Sequence, residues 1–334
     1  MLVTIIFFLL IIIILTYYYH NYLKNHFWYN FEKKLGKKKF YSGELHPNIY
    51  TKKNLNEEDI KKLDELYKNY LEGIIVDKEK IENFLSIMPY SEIFYMKVNS
   101  IFYGAVMNSI VEIEYKNKKY LSNFVDNAII NKNYRDKGIF KELMNYVSNY
   151  SNEMNAKFII FKIDKKPIPS FYKYNIVSNY YYIDNYDSFF KEDNLKIIRP
   201  YYKNNDQFLK YLNSKNIIIL SCSYDKNIPI KKEDNNFGVS PFFKDTKTIM
   251  IFKRNSPRSI ELLHIENPVK ECINNIMRYL YNNYKFDIFF VDDIGNNSYL
   301  IKLYPNLFKI AYPVYHYILG LEEKIEKENF FYYF

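Results

Sequence analysis

One tryptophan, two cysteines, five histidines and eight glycines occur in 334 residues, and each shortage removes a class of function. Cys222 and Cys272 have no Cys or His neighbour at metal-ligand spacing, so neither a disulfide framework nor a thiolate metal site is expected. The histidines at 20, 26, 46, 264 and 316 are scattered. No two-histidine helical motif exists, and a metal-dependent mechanism is not expected. A basic tract with a nucleic-acid motif is also missing. The net charge of +9 therefore points away from nucleic acid and toward phospholipid headgroups or a phosphorylated cofactor. What the chain has in quantity is Tyr (37) and Phe (27). The apolar and aromatic content is that of a packed protein, long enough for two domains or one large one.

Leu2 to Tyr19 is almost wholly apolar, and the first charge is Lys24. At ~1.5 Å per residue, about twenty helical residues of this kind cross a bilayer core. Tyr17, Tyr18, Tyr19 and Tyr22, with Phe27 and Trp28 near, suit the headgroup boundary. A cleaved signal peptide is the rival, but it would need a positive start and a small-residue cleavage site. Lys24, Lys33, Lys34, Lys37, Lys38 and Lys39 follow and favour a cytoplasmic main domain. The expectation is a single-pass membrane protein, with a transmembrane anchor at 1–23, a basic juxtamembrane connector at 24–55 and membrane lipid as a partner.

Beyond the connector, Asn56 caps a helix with Ile60, Leu63, Leu66, Tyr67 and Tyr70 on one face, and a second helix follows around 78–84. Residues 93–98, 101–113 and 120–130 read as antiparallel strands joined by polar turns. Asp126 to Ile163 then gives a strand, the turn Arg135-Asp136-Lys137-Gly138, a helix with Phe140, Leu143, Met144, Val147 and Tyr150 inward, and the strand Phe158-Ile159-Ile160-Phe161. Backbone N–H groups and partial positive charge at a helix start suit a diphosphate, and Arg135, Lys137 and Gly138 strengthen that reading. An ordinary surface turn is the alternative.

The second half repeats the order. A helix over 205–212 precedes strands at 217–222, 248–252 and 259–265; Asn267-Pro268 starts another helix, with Pro at its first position, and 286–291 is the strand after it. This later helix start has no Arg or Gly turn, so only the first half is expected to hold a phosphate.

These residues resemble a known family. The Arg135-Asp136-Lys137-Gly138 turn in its strand and helix setting looks like the acyl-CoA pyrophosphate loop of the N-acetyltransferase superfold. Its duplication in one chain is similar to glycylpeptide N-myristoyltransferase. Phe27-Trp28 before Lys34-Leu35-Gly36, Leu66-Tyr67, Lys166-Pro167-Ile168 with Tyr172 and Tyr174, and Phe286-Asp287-Ile288-Phe289 with Asp292, Asp293 and Asn297 resemble further family segments.

The resemblance implies an α+β fold of two acyl-CoA N-acyltransferase-like halves, 56–194 on the acyl-CoA side and 195–334 on the acceptor side, forming one saddle-shaped unit behind the transmembrane helix. It implies acyl-CoA, as myristoyl-CoA, as co-substrate. Arg135, Asp136, Lys137, Gly138, Ile139, Phe27 and Trp28 would contact it, with no metal. A peptide or protein N-terminus would accept the acyl group. The main-chain amides of Asn127 and Ala128 would form the oxyanion hole, the terminal carboxylate of Phe334 would be the base, and Tyr315, Tyr317 and His264 would line the site. The family's Gly-rich turn falls on Phe308 to Tyr312, where no glycine occurs. A catalytically inactive relative with a binding or structural role at a membrane, and an acetyltransferase for other amines, are the competing readings.

Overall fold

The computed structural model describes residues 2–25, 47–70, 78–87, 90–116, 118–167, 174–183, 217–223, 237–238, 247–256, 258–321, 324–327 and 330–331. Phe27, Trp28, Phe334, the connector over 26–46 and the expected helix at 205–212 lie outside them.

Helix α1 (Leu2–Asn25) exposes its described apolar side chains on every side, from Phe7 to Tyr19. Among the described residues no helix is long and apolar enough to cross a membrane. The expected transmembrane crossing is therefore not carried by this structure.

Helix α2 (Glu57–Tyr70) starts as its sequence dictates. The Asn56 side chain accepts from the Asp59 N–H at 2.8 Å, and Glu57, Glu58 and Asp59 place negative charge at the positive helix end. Helix α3 is Lys78–Ile87. Strands β1 (Ile49–Tyr50), β2 (Glu92–Val98), β3 (Ile101–Tyr115) and β4 (Lys118–Ile130) follow, then α4 (Ile139–Glu153), β5 (Phe158–Asp164) and β6 (Ile176–Ile183). The later part holds β7 (Ile217–Ser223), β8 (Phe237–Gly238), β9 (Lys247–Ser256), β10 (Ser259–Glu266), α5 (Lys270–Tyr284), β11 (Ile288–Asp292), α6 (Asn297–Leu303), β12 (Lys309–Leu319) and β13 (Phe330–Phe331).

The thirteen strands among the described residues belong to one sheet, ordered β1-β2-β3-β4-β5-β12-β6-β11-β10-β9-β7, with β8 on β3 and β13 on β8. The expected repeat is present: β4-α4-β5 and β10-α5-β11 each join two parallel strands through a helix. β12 of the later half lies between β5 and β6 of the earlier one, which ties the halves into a continuous surface. Alternation along the strands sends α4, α5 and α6 to one face. There Leu143 and Val147 meet Ile159, Phe161 and Tyr317, and Ile273 and Ile276 meet Phe289 and Val291. The opposite face carries α2 and α3 over Ile93, Ala105 and Met107, and the C-terminal Phe330 among Ile160, Ile176 and Ile318. Cys222 and Cys272 are buried and in no disulfide.

One sequence expectation is corrected here. Pro268 is not the first helical residue of α5: Asn267 has φ of 46°, Val269 is extended, and the helix begins at Lys270. β12, a segment left unassigned from the sequence, contains Pro313, which lacks a ladder donor. The fold tolerates it because β5 ends opposite Val314 and the β6 register shifts between Ile310 and Tyr312.

Gly104 fixes how closely β3 can approach β4. A Cβ there would stand 2.6 Å from Ile130 Cδ1 and 2.8 Å from the Ile129 carbonyl oxygen. The second contact is backbone, so β4 itself must move. Gly104→Val is expected to cost about 2–3 kcal/mol, lowering the thermal midpoint by roughly 5 °C or more. An unchanged melting curve would refute the close approach.

Candidate active site

Parallel strands β4 and β5 pair only through Ser122/Phe158, Asn123/Ile159 and Phe124/Ile160. Past Phe124 they separate, while β5 continues against β12 alone to Asp164. The result is a wedge open at the C-terminal ends of both strands, where backbone groups of β4 face the gap rather than a neighbouring strand.

Within this stretch β4 is bulged. Ala105 pairs with Ile129 and Met107 with Asp126, so Val106 alone opposes Asn127 and Ala128. Asn127 has φ of 50°, the left-handed geometry that Asn tolerates better than most residues. A bulge redirects backbone amides and side chains, and both residues assigned to the oxyanion hole lie on it. Ala128 is exposed. The buried Tyr67 holds the bulge by donating from its hydroxyl to the Asn127 carbonyl oxygen at 2.9 Å. Burial, reinforced by nearby Asp126, raises the Tyr67 pKa well above the usual phenol range, keeping that donor protonated.

The Asn127 amide is already engaged. Its N–H donates to Asp126 Oδ1 at 2.8 Å, and its side-chain Nδ2 to Asp126 Oδ2 at 3.0 Å. For this amide to meet a thioester oxygen, the Asp126 carboxylate must turn away.

The wedge leads to the basic turn. Asn131 folds the chain back by accepting from Asn133 N at 3.1 Å and donating to the Phe102 carbonyl at 3.2 Å. Asp136 has φ of 63° and Gly138 φ of 76°. A Cβ on Gly138 would meet nothing within 4 Å, so this glycine serves backbone conformation rather than close packing. Arg135, Asp136, Lys137 and Gly138 are exposed, while Ile139 is buried under α4. Lys137 Nζ stands 5.0 Å above the Tyr134 ring, which stacks on Tyr103 at 3.9 Å. The α4 start thus presents amides and two cationic side chains on one exposed corner, chemistry that suits an anion. The α5 start has Glu271 in its first turn and offers no such site.

Three other assigned residues are packed into the protein. Tyr317 is fully buried and stacks on Phe161 at 5.0 Å, Tyr315 packs against Tyr174, and His264 Nε2 lies 2.9 Å from Glu266 Oε2. Ser178, His316 and Asp292 also meet, with Ser178 Oγ 2.7 Å and Asp292 Oδ2 3.5 Å from the same His316 Nε2. A catalytic triad needs the carboxylate on the other ring nitrogen, so this trio is not one. No local sequence signal joins these strands, which are far apart along the chain.

At the C-terminus, β13 pairs in parallel with β8, and β8 runs antiparallel to β3 beside Glu114 and Tyr115. β13 therefore points toward the bulged end of β3, on the face that carries Tyr67.

The fold is similar to that of solved N-myristoyltransferase structures. No family model matches the sequence, and no curated protein matches it. Solved structures of Saccharomyces cerevisiae N-myristoyltransferase do share its fold. One, with bound myristoyl-CoA, has a TM-score of 0.61 at 9% identity over 89% of this chain and 85% of that one. Another, with myristoyl-CoA and inhibitors, has a TM-score of 0.58 at 12% identity over 89% and 86%.

Proposed function

We propose that the protein is a membrane-anchored, acyl-CoA-dependent N-acyltransferase that moves a fatty acyl group, such as myristoyl, to an N-terminal glycine amine. The observation that carries this reading is the wedge between β4 and β5, bulged at Asn127 and ending on the basic turn before α4. A thioester donor laid along the wedge would put its diphosphate on Arg135, Lys137 and the Gly138–Ile139 amides, and its carbonyl against the bulge. Direct attack by a neutral amine then needs polarisation, placement and a base, with no covalent enzyme intermediate. The base in this reading is the terminal carboxylate of Phe334, toward which β13 leads. Seven residues of β3, about 23 Å at ~3.3 Å each, separate Glu114 from Met107, the partner of Asp126. That span keeps the Asp126 carboxylate in contention.

Mass spectrometry after incubation with isotope-labelled myristoyl-CoA and a glycine-initiated peptide library tests the reading. Labelled amide products are expected; acyl-CoA binding without product would favour the inactive relative. That second reading has its own support, because a carboxylate occupies the Asn127 amide and Lys309 to Tyr312, where the family has its Gly-rich turn, are the first residues of strand β12.

Anchoring rests on the uncovered apolar surface of α1. Removing residues 1–25 is expected to move the protein from the alkaline-washed membrane pellet to the supernatant; an unchanged distribution would refute it.

A further inference from the structure

The chain's two cysteines stand 50 residues apart in sequence and meet in the later half. Ile218, Leu220 and Cys222 alternate onto one face of β7, and they share a core with Cys272, Ile273 and Ile276 of α5. The Cys272 thiol donates to the Cys222 carbonyl oxygen at 3.5 Å, and the two thiols lie within hydrogen-bonding reach of each other. Neighbouring contacts hold this meeting in place. Cys222 pairs with Thr248 of β9, and the Thr248 hydroxyl donates to the Asn267 carbonyl oxygen at 2.6 Å, which fixes the chain just ahead of α5.

The pair is not symmetrical. Cys272 lies in the first turn of α5, so both sulfurs sit at the helix end whose backbone N–H groups carry partial positive charge. The hydrogen bond with Cys272, helped by one with Asn275, holds the Cys222 thiol below its ordinary range in spite of burial and nearby Glu271. The same contact with Cys222, together with burial, pushes the Cys272 thiol up. One sulfur thus favours the thiolate and the other stays protonated, the roles of an attacking and a resolving thiol. Cys222 is the penultimate residue of β7, and β7 is the last strand in the sheet order. Opening the end of an edge strand costs much less than global unfolding, so a small oxidant has a route to a thiol that is 3% exposed.

We propose that Cys222 and Cys272 are a peroxide-sensitive dithiol that closes reversibly to a disulfide within one chain. The Cys222 thiolate attacks one oxygen of hydrogen peroxide and breaks the O–O bond. Cys222 becomes a sulfenic acid, and the hydroxide released takes up the proton that the thiol had lost. The Cys272 sulfur then displaces the sulfenic hydroxyl, which leaves as water with the Cys272 proton. Two thiols and one peroxide give one disulfide and two waters, with two electrons passing from sulfur to oxygen. The bridge ties the edge strand β7 to the helix that joins β10 to β11, closing a loop that takes in β8, β9 and β10. Because such a loop restricts the unfolded chain, the oxidised form is the more stable one. None of this depends on the acyltransferase reading.

The test treats the full-length protein with hydrogen peroxide, blocks remaining thiols with N-ethylmaleimide and maps peptides by mass spectrometry without reduction. A peptide joining Cys222 to Cys272 is expected, and dithiothreitol should abolish it. Oxidation should raise the thermal midpoint by about 5 °C, and reduction should return it. In Cys272→Ser the reaction should stop at a Cys222 sulfenic acid that dimedone traps. In Cys222→Ser the remaining thiol should oxidise about tenfold more slowly or less readily still, with reduced-state melting curves checking that both variants fold. The inference is overturned if peroxide leaves both thiols open to alkylation in the folded protein, if bridges form only between molecules, or if the disulfide appears only after unfolding in urea. A folded Cys272→Ser variant that gives no dimedone adduct would overturn the assignment of Cys222 as the attacking sulfur.

Discussion

Reversing both charges of the turn, with Arg135→Glu and Lys137→Glu together, is expected to weaken binding of the myristoyl-CoA thioether analogue by about 1,000-fold. A charge-assisted hydrogen bond contributes about 1.5–3 kcal/mol, and the low end applies to side chains as exposed as these. Two such bonds lost, with repulsion added, come to about 4 kcal/mol, or three decades of affinity. Neutral Ala variants of either residue should each lose about tenfold. Stability should hardly change. Among the described residues, Arg135 Nε makes a long contact of 3.5 Å to the Ile130 carbonyl, and Lys137 lies over the Tyr134 ring at the surface. Calorimetry checks the affinity and a thermal melt the fold. Binding within threefold of the native protein would mean that this corner does not hold the diphosphate.

Extending the chain by one residue beyond Phe334 is expected to lower kcat by about 10²- to 10⁴-fold, the usual worth of a positioned base, with acyl-CoA affinity unchanged. Asp126→Asn gives the opposite expectation. It removes the carboxylate that holds the Asn127 amide, so turnover should stay within a few-fold of native or rise. Single-turnover kinetics on both variants separates the two groups. If the extended chain keeps full activity while Asp126→Asn loses it, the base is Asp126, already seated at the wedge. If both keep activity, neither carboxylate takes the proton.

The sequence was most informative where the chemistry is local. The turn before α4 was legible because glycine, basic residues and an apolar period of three and four occur within one short segment, and the structure gives Gly138 the left-handed φ that this geometry needs. The Asn56 cap was legible for the same reason. The α5 start was placed too early. Asn267 and Pro268 look like a helix opening, yet Asn267 turns left-handed and Val269 stays extended, and the Thr248 hydroxyl of β9 donates to the Asn267 carbonyl at 2.6 Å.

The sequence by itself determined the duplicated strand-helix-strand units, because each depends on periodicity that neighbouring residues impose on one another. It also determined which unit bears the cationic turn. Only the tertiary structure decided how the two units join. β12, with its internal proline, passes between β5 and β6, and that insertion joins the two halves into one sheet. The bulge at Asn127 and its occupation by Asp126 were likewise decided there. A bulge is a mismatch of register between two strands, and no single strand carries the information that its partner is one residue short.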